Sequence, residues 1–76
     1  MTMILQDVPI GRNIQNTRVS KNMTQADVAA KLQFKGSTMS RNTLALIETQ
    51  RRNIKTSDLK ALQEIFNVDY AEFFRD

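Results

Sequence analysis

The sequence predicts an all-α domain of five short helices, and three observations lead to this fold class. The 76 residues include only one proline and two glycines, which leaves little room for hairpins or long loops. No segment alternates apolar and polar residues as a half-buried strand does. Apolar residues instead recur at helical spacing, behind residues that can cap a helix. We therefore expect one helical domain over residues 8–76, preceded by an N-terminal tail over residues 1–7.

The first helix is predicted to begin around Pro9, because proline suits the first turn of a helix. One face of this helix carries Ile10, Ile14, Thr17 and Arg18. The helix should end near Asn22, since asparagine tolerates the left-handed conformation that closes a helix.

A second helix is predicted from the stretch Thr-Gln-Ala-Asp at residues 24–27. It is a variant of the capping box, in which the Thr24 hydroxyl accepts from the Asp27 amide and the Asp27 carboxylate accepts from the Thr24 amide. The helix is expected to run to about Leu32, and its buried side consists of Val28, Ala29 and Leu32.

A loop with Gly36 as a helix breaker is predicted over residues 33–39, and Ser40 is the cap candidate for the third helix. Helical spacing turns Leu44 and Ile47 inward. The residues predicted to face outward are Arg41, Asn42, Ala45 and Leu46.

The last two helices follow a basic connection at residues 49–56. Ser57 is expected to cap the fourth helix, whose apolar residues are Leu59, Leu62, Ile65 and Phe66. Asn67 should end it. Asp69 is then expected to cap a short final turn in which the aromatic side chains fold back onto the core, namely Tyr70, Phe73 and Phe74.

Composition argues against an enzyme and against a metal site. The chain has no cysteine and no histidine, so the commonest nucleophile, general base and transition-metal ligands are missing. An enzyme built on carboxylates would need two of them close together in a pocket, and nothing in the sequence places such a pair. We expect no enzymatic activity, no cofactor and no small-molecule ligand.

The charge distribution points to an acidic partner. Residues 1–55 contain nine Lys or Arg against three Asp or Glu, whereas residues 56–76 contain two against five. A basic region of this kind fits a nucleic acid, although it is also compatible with an ordinary solvated surface. Residues 1–10 show no signal-like apolar run and no segment is long enough to span a membrane, so a soluble, cytoplasmic protein is expected.

Two consecutive short helices, each capped by a hydroxyl and followed by basic residues, can present a helix to the major groove of DNA. The order and spacing of these motifs also resemble the Cro and phage-repressor (XRE-type) helix-turn-helix family, which has the lambda-repressor-like fold. The resemblance is carried by residues 24–29 (TQADVA), 40–48 (SRNTLALIE) and 51–53 (RRN), and it covers nearly the whole chain.

The resemblance implies roles for individual residues on duplex DNA. Those expected to face the bases are Arg41, Asn42, Thr43 and Leu46. The resemblance also implies phosphate contacts for Gln25 at the start of the second helix and for Arg51, Arg52 and Lys55 in the basic connection. Ser40 at the start of the third helix and Lys35 in the loop are further candidate phosphate contacts. The chemistry agrees, since the Arg41 guanidinium can donate two hydrogen bonds to guanine O6 and N7. The Asn42 amide can form a matching pair of hydrogen bonds with adenine N6 and N7. For each residue the alternative is an ordinary solvated side chain, and Leu46 could instead belong to a protein interface.

Two features depart from the family pattern. The segment between Leu32 and Ser40 is about five residues longer than the usual tight turn. It could contact DNA through Lys35, cover the core with Phe34 and Met39, or only connect the helices. Thr17 stands where the family usually has an aliphatic residue, which predicts looser packing of the first helix.

An ion pair between Arg18 and Glu48 is predicted to tie the first helix to the third. Arg18 shares a helix face with Ile14, and Glu48 follows the inward-facing Ile47, so both charges should lie beside the core. Charges in such a place need partners. The family places an arginine and a glutamate at matching positions.

Together these observations predict a protein that binds double-stranded DNA as a homodimer and acts as a transcriptional repressor. The alternative is a protein-interaction module, such as an antitoxin-like or regulatory subunit with the same fold. The two differ in salt dependence and in preference for one DNA sequence.

Overall fold

The computed structural model describes residues 8–76, which form four α-helices and one 3-10 turn. The helices are α1 (Ile10–Ser20), α2 (Gln25–Phe34), α3 (Arg41–Glu48) and α4 (Thr56–Phe66), and the C-terminal 3-10 turn spans Tyr70–Phe74. No strand occurs between residues 8 and 76, so the all-α fold class is confirmed, with a 3-10 turn in place of the fifth helix. The predicted tail at residues 1–7 lies outside the described residues.

The inner face of α3 packs into the hydrophobic core. Helix α3 packs against α1 and α2, α4 packs against α2, and the 3-10 turn packs against α1. The buried apolar cluster consists of Ile14, Val28, Leu32, Met39, Leu44, Ile47, Leu62, Phe66 and Phe73. Burying a side chain of this size stabilises the fold by about 1.5–3 kcal/mol. Because Leu44 and Ile47 are both in this cluster, the opposite face of α3 is left to solvent.

The predicted caps of α2 and α3 are present. The Thr24 hydroxyl accepts from the Asp27 amide at 3.0 Å, and the Asp27 carboxylate accepts from the Thr24 amide at 2.9 Å. The hydrogen bond from the Thr24 backbone amide to the carboxylate, followed by hydrogen bonding from the Thr24 hydroxyl, lowers the pKa of Asp27. The Ser40 hydroxyl accepts from the Thr43 amide at 3.2 Å. Both helices therefore begin at residues that the sequence identifies.

One predicted helix end lies two residues short of the observed one, and one predicted cap is wrong. Helix α2 continues past Leu32 to Phe34, because no breaker precedes Gly36, whose φ of 95° suits glycine. Helix α4 begins at Thr56 with Lys55 as its N-cap, so Ser57 lies inside the helix and does not cap it. The predicted end of α4 is correct, since Asn67 has the left-handed φ of 54°.

The C-terminal turn differs from its prediction. Asp69 makes no capping hydrogen bond with its side chain, and only its backbone carbonyl accepts, from Glu72. Phe73 alone enters the core, whereas Tyr70 and Phe74 are 43% and 48% exposed. The Phe73 ring packs against Phe66 with 6.3 Å between the ring centroids.

Helix α1 is fastened to this turn by a buried asparagine that the sequence analysis did not identify. The Asn13 side-chain amide donates to the carbonyl oxygens of Phe73 at 3.0 Å and Arg75 at 2.7 Å. One turn further along α1, the Thr17 hydroxyl donates to the Asn13 carbonyl at 2.8 Å. None of the helices within residues 8–76 has the length and apolar character needed to cross a membrane.

Candidate nucleic-acid interface

The outer face of α3 begins with two exposed polar side chains. Arg41 and Asn42 directly follow the Ser40 cap, and neither side chain forms a hydrogen bond with any residue between 8 and 76. Their donors and acceptors are therefore available to a ligand. The capping arrangement holds the backbone of this first turn in place while the two side chains extend from it.

The other two residues predicted to face the bases are less open. Thr43 is half-buried, and its hydroxyl lies 3.1 Å from the Ser40 hydroxyl. Leu46 lies one helical turn later and is 39% exposed. Together with Arg41 and Asn42, these residues make α3 an amphipathic helix with a mixed polar and apolar outer face.

The basic connection follows α3 directly. Arg51, Arg52 and Lys55 are all exposed and form no ion pair within the described part of the chain. The backbone amide of Arg51 donates to the Leu46 carbonyl at 2.9 Å, which folds the connection back against the end of α3. Three cations therefore lie in the segment that joins α3 to α4.

A buried ion pair connects α3 to α1, as predicted. The Arg18 guanidinium donates to Glu48 through Nε at 2.7 Å to Oε2 and through Nη2 at 3.0 Å to Oε1. Its Nη1 also donates to the Met23 carbonyl at 2.8 Å. The Arg18 and Glu48 side chains are only 11% and 1% exposed. This bidentate geometry fixes the C-terminal end of α3 against α1.

Gln25 belongs to the same network, which the sequence analysis did not predict. Its side-chain amide donates to Glu48 Oε1 at 3.0 Å, from the first residue of α2. An amide nitrogen has two protons, so a second one remains for another acceptor. Residues of α1, α2 and α3 therefore meet at one carboxylate. The polar residue at the start of α2 was the available signal, but its partner depends on the packing of α2 against α3.

Lys35 lies apart from this group. Its ammonium pairs with Glu64 of α4 at 2.9 Å, and both side chains are largely solvated. Of the apolar residues predicted to accompany it in the loop, Met39 is buried whereas Phe34 is 94% exposed. The long segment after α2 thus covers the core through Met39 only.

A capped helix with an exposed outer face, a preceding helix packed against it and a basic connection after it define a helix-turn-helix protein that binds DNA. A family model described as helix-turn-helix matches residues 14–73. The chain therefore belongs to the Cro and phage-repressor (XRE-type) helix-turn-helix family, whose domains bind DNA in a sequence-specific manner. A comparison with curated proteins and another with solved structures found no match.

Proposed function

We propose that this protein is a transcriptional repressor that binds duplex DNA as a homodimer and places α3 in the major groove. The observation that carries the proposal is the pair Arg41 and Asn42, which are exposed at the capped start of α3 and make no side-chain hydrogen bond to residues 8–76. A recognition helix contacts base edges mainly with its N-terminal residues. A repressor of this kind occludes promoter DNA, and we propose the cytoplasm as its location.

In this proposal the base-reading residues are Arg41, Asn42, Thr43 and Leu46. Arg41 donates to guanine O6 and N7, Asn42 pairs with adenine, and the exposed part of Leu46 packs against a thymine methyl group. The phosphate contacts come from Gln25 and Ser40 on one side of α3 and from Arg51, Arg52 and Lys55 on the other. Lys35 remains a further candidate phosphate contact, because its exposed pair with Glu64 uses only one of the three N–H donors of the ammonium.

The test uses the preferred site selected from random duplexes with the purified protein. Arg41→Ala is expected to weaken binding to that site by about 1–3 kcal/mol and to relax the preference at one base pair. Arg51→Ala is the matched control, since losing a phosphate contact weakens binding to all sequences alike. Equal losses on selected and random DNA for Arg41→Ala would exclude base reading by Arg41.

The homodimer is supported by the exposed aromatic rings of Tyr70 and Phe74 at the C-terminal turn. A homodimer that binds two half-sites needs its recognition helices about 34 Å apart, which is one turn of DNA. Sedimentation of wild type and of Phe74→Ser tests the dimer, and the variant is expected to shift toward monomer. A monomeric wild type that binds single half-sites without cooperativity would overturn the proposal.

A protein-interaction module is the second candidate, and the exposed Phe34 side chain favours it. The ring borders a groove lined by Ala30, Lys31, Phe34, Lys35 and Ile65. A module that works through this groove would show weak salt dependence and no preference among DNA sequences. A repressor loses affinity steeply as salt rises and prefers one site over competitor DNA. Binding titrations at several salt concentrations therefore separate the two candidates.

A further inference from the structure

One residue at the end of α3 has a backbone conformation that its side chain does not favour. Among residues 8–76, the residues other than glycine with positive φ are Asn22, Gln50 and Asn67, at 58°, 62° and 54°. Asparagine enters the left-handed region readily, because its short side chain bonds locally. In most other residues Cβ then lies too close to the following carbonyl oxygen. Gln50 is therefore the exception of the three.

The turn that contains Gln50 does not depend on its side chain. The Gln50 amide donates to the Ile47 carbonyl at 3.0 Å, and the Arg51 amide donates to the Leu46 carbonyl at 2.9 Å. These backbone hydrogen bonds close the helix end, and glycine makes them with less strain. The local fold alone thus favours glycine at residue 50.

The Gln50 side chain is exposed and extends beside the start of α1. Its Cγ lies 3.3 Å from the position that a Cβ on Gly11 would occupy, so the aliphatic part rests against α1. The amide group at its end makes no hydrogen bond with residues 8–76. Gln50 immediately precedes the exposed guanidinium groups of Arg51 and Arg52. A free amide donor therefore lies at the edge of the basic connection.

We infer that Gln50 is a further DNA-contacting residue, whose side-chain amide donates to a backbone phosphate beside the groove that α3 enters. Strained backbone conformations concentrate at functional sites, and glutamine amides are common donors to DNA phosphates. The inference rests on the proposed placement of α3 in the major groove. It assigns a role to a side chain that the fold of the turn does not require.

The decisive variant is Gln50→Gly, for which stability and affinity should change in opposite directions. Relief of the left-handed backbone is expected to raise Tm. Loss of the amide is expected to weaken binding to the selected site by about tenfold, as for one hydrogen bond to a charged acceptor. Asn67→Gly is the matched control, because it changes the equivalent position after α4 and should leave DNA affinity unchanged.

A second variant separates the amide from the rest of the side chain. Gln50→Met keeps the left-handed backbone and the contact with α1 but removes the donor, so it should lose the same affinity as Gln50→Gly. The affinity of Gln50→Met should depend on salt concentration as that of wild type does, because no cation is lost. Arg51→Ala should instead reduce the slope of log affinity against log salt concentration by about one unit.

If Gln50→Met binds the selected site with wild-type affinity, the inference is overturned. A loss of affinity that occurs only in Gln50→Gly would mean that Gln50 acts through its packing on α1. The proposed function has its own test in Arg41→Ala. If Arg41→Ala loses its base preference while both Gln50 variants bind normally, only the role of Gln50 is refuted.

Discussion

Among residues 8–76, two ion pairs connect residues far apart in the sequence, and they have nearly the same length in different surroundings. Arg18 and Glu48 meet at 2.7 Å with side chains 11% and 1% exposed. Lys35 and Glu64 meet at 2.9 Å with side chains 38% and 48% exposed. Distance therefore does not distinguish the two pairs. Solvation does, since losing one partner of a buried pair leaves an uncompensated charge, whereas an exposed pair is worth about 0–1 kcal/mol.

The two carboxylates also differ in the number of groups that they hold together. Glu48 accepts from Arg18 twice and from Gln25 once, so α1 and α2 are both bound to α3. Within residues 8–76, the Glu64 carboxylate accepts only from Lys35. No buried side-chain polar atom among the described residues lacks a hydrogen-bond partner. The buried pair is thus a fully hydrogen-bonded junction that positions α3, while the exposed pair is a local surface contact.

The largest effect is expected for Glu48→Ala. It leaves the Arg18 guanidinium buried without its carboxylate, which should cost about 3–5 kcal/mol of folding free energy. A domain whose total stability is about 5–15 kcal/mol would lose much of it. Thermal unfolding followed by circular dichroism measures the change, with Glu64→Ala as the matched control.

The double variant Arg18→Met/Glu48→Leu sharpens this result. Replacing both charges by apolar residues of similar volume removes the uncompensated charge, so much of the lost stability should return. Equal shifts in Tm for Glu48→Ala and Glu64→Ala would contradict the comparison between the two pairs.

The next largest effect is expected for Gly11→Ala, at the same junction of α1 with α3. A Cβ on Gly11 would overlap the Ile47 carbonyl oxygen, a backbone atom that cannot rotate away as a side chain can. Helix propensity alone would favour alanine by up to about 1 kcal/mol, but the clash should reverse the sign. We expect a loss of about 1–3 kcal/mol or more in chemical denaturation.

Gly36→Ala is the control for Gly11→Ala. Its new Cβ would meet no atom within 4 Å, so its cost arises only from the positive φ. Because the clash displaces α3, Gly11→Ala should also reduce DNA affinity, whereas Gly36→Ala should not. A stabilised Gly11→Ala protein would show that α1 and α3 can separate without cost.

The sequence predicts what depends on local chemistry and misses what depends on packing between helices. The caps at Thr24 and Ser40 were predictable because the bonding groups are three residues apart. Ser57 was misassigned, since a hydroxyl near a helix start does not by itself specify which residue is first. The exposure of Phe34 was also not predicted, because helical spacing does not indicate the burial of an apolar residue assigned to a loop.

The candidate site shows the same division. Helical phase was enough to place Arg18 and Glu48 beside the core, and the pair is present. The bond from Gln25 to Glu48 requires the angle between α2 and α3, and the left-handed backbone of Gln50 requires the path of the chain after α3. The only sequence signal for Gln50 was that no Gly or Asn follows α3 at the position where a helix usually ends in the left-handed conformation.

A smaller effect is expected for Gln25→Met, which removes one of the three hydrogen bonds to Glu48. Arg18 still satisfies the carboxylate, so the expected loss is about 1 kcal/mol of folding free energy. Chemical denaturation measures it, with Gln15→Met as the control, because Gln15 is exposed on α1 and forms no hydrogen bond with the described residues. A loss as large as that of Glu48→Ala would mean that Gln25, and not Arg18, is the principal partner of the carboxylate.

The smallest effect is expected at the exposed pair, where it is best measured as a titration. The hydrogen bond from Lys35, followed by its positive charge, lowers the pKa of Glu64. A carboxyl whose pKa is lower in the folded protein stabilises it fully above the unfolded pKa, and this stabilisation disappears as the pH falls through the folded pKa. Lys35→Ala should therefore return the pKa of Glu64 toward its ordinary range in a carbon-detected NMR titration. The small difference in Tm between wild type and Lys35→Ala should vanish in acid, once Glu64 is protonated in both proteins. Asp27 is the internal control, because its lowered pKa comes chiefly from the Thr24 cap and should not change in the variant.

An unchanged pKa of Glu64 in Lys35→Ala would show that Lys35 and Glu64 have no energetic coupling. A large loss of stability in Lys35→Ala would show that the exposed pair contributes as much as the buried pair.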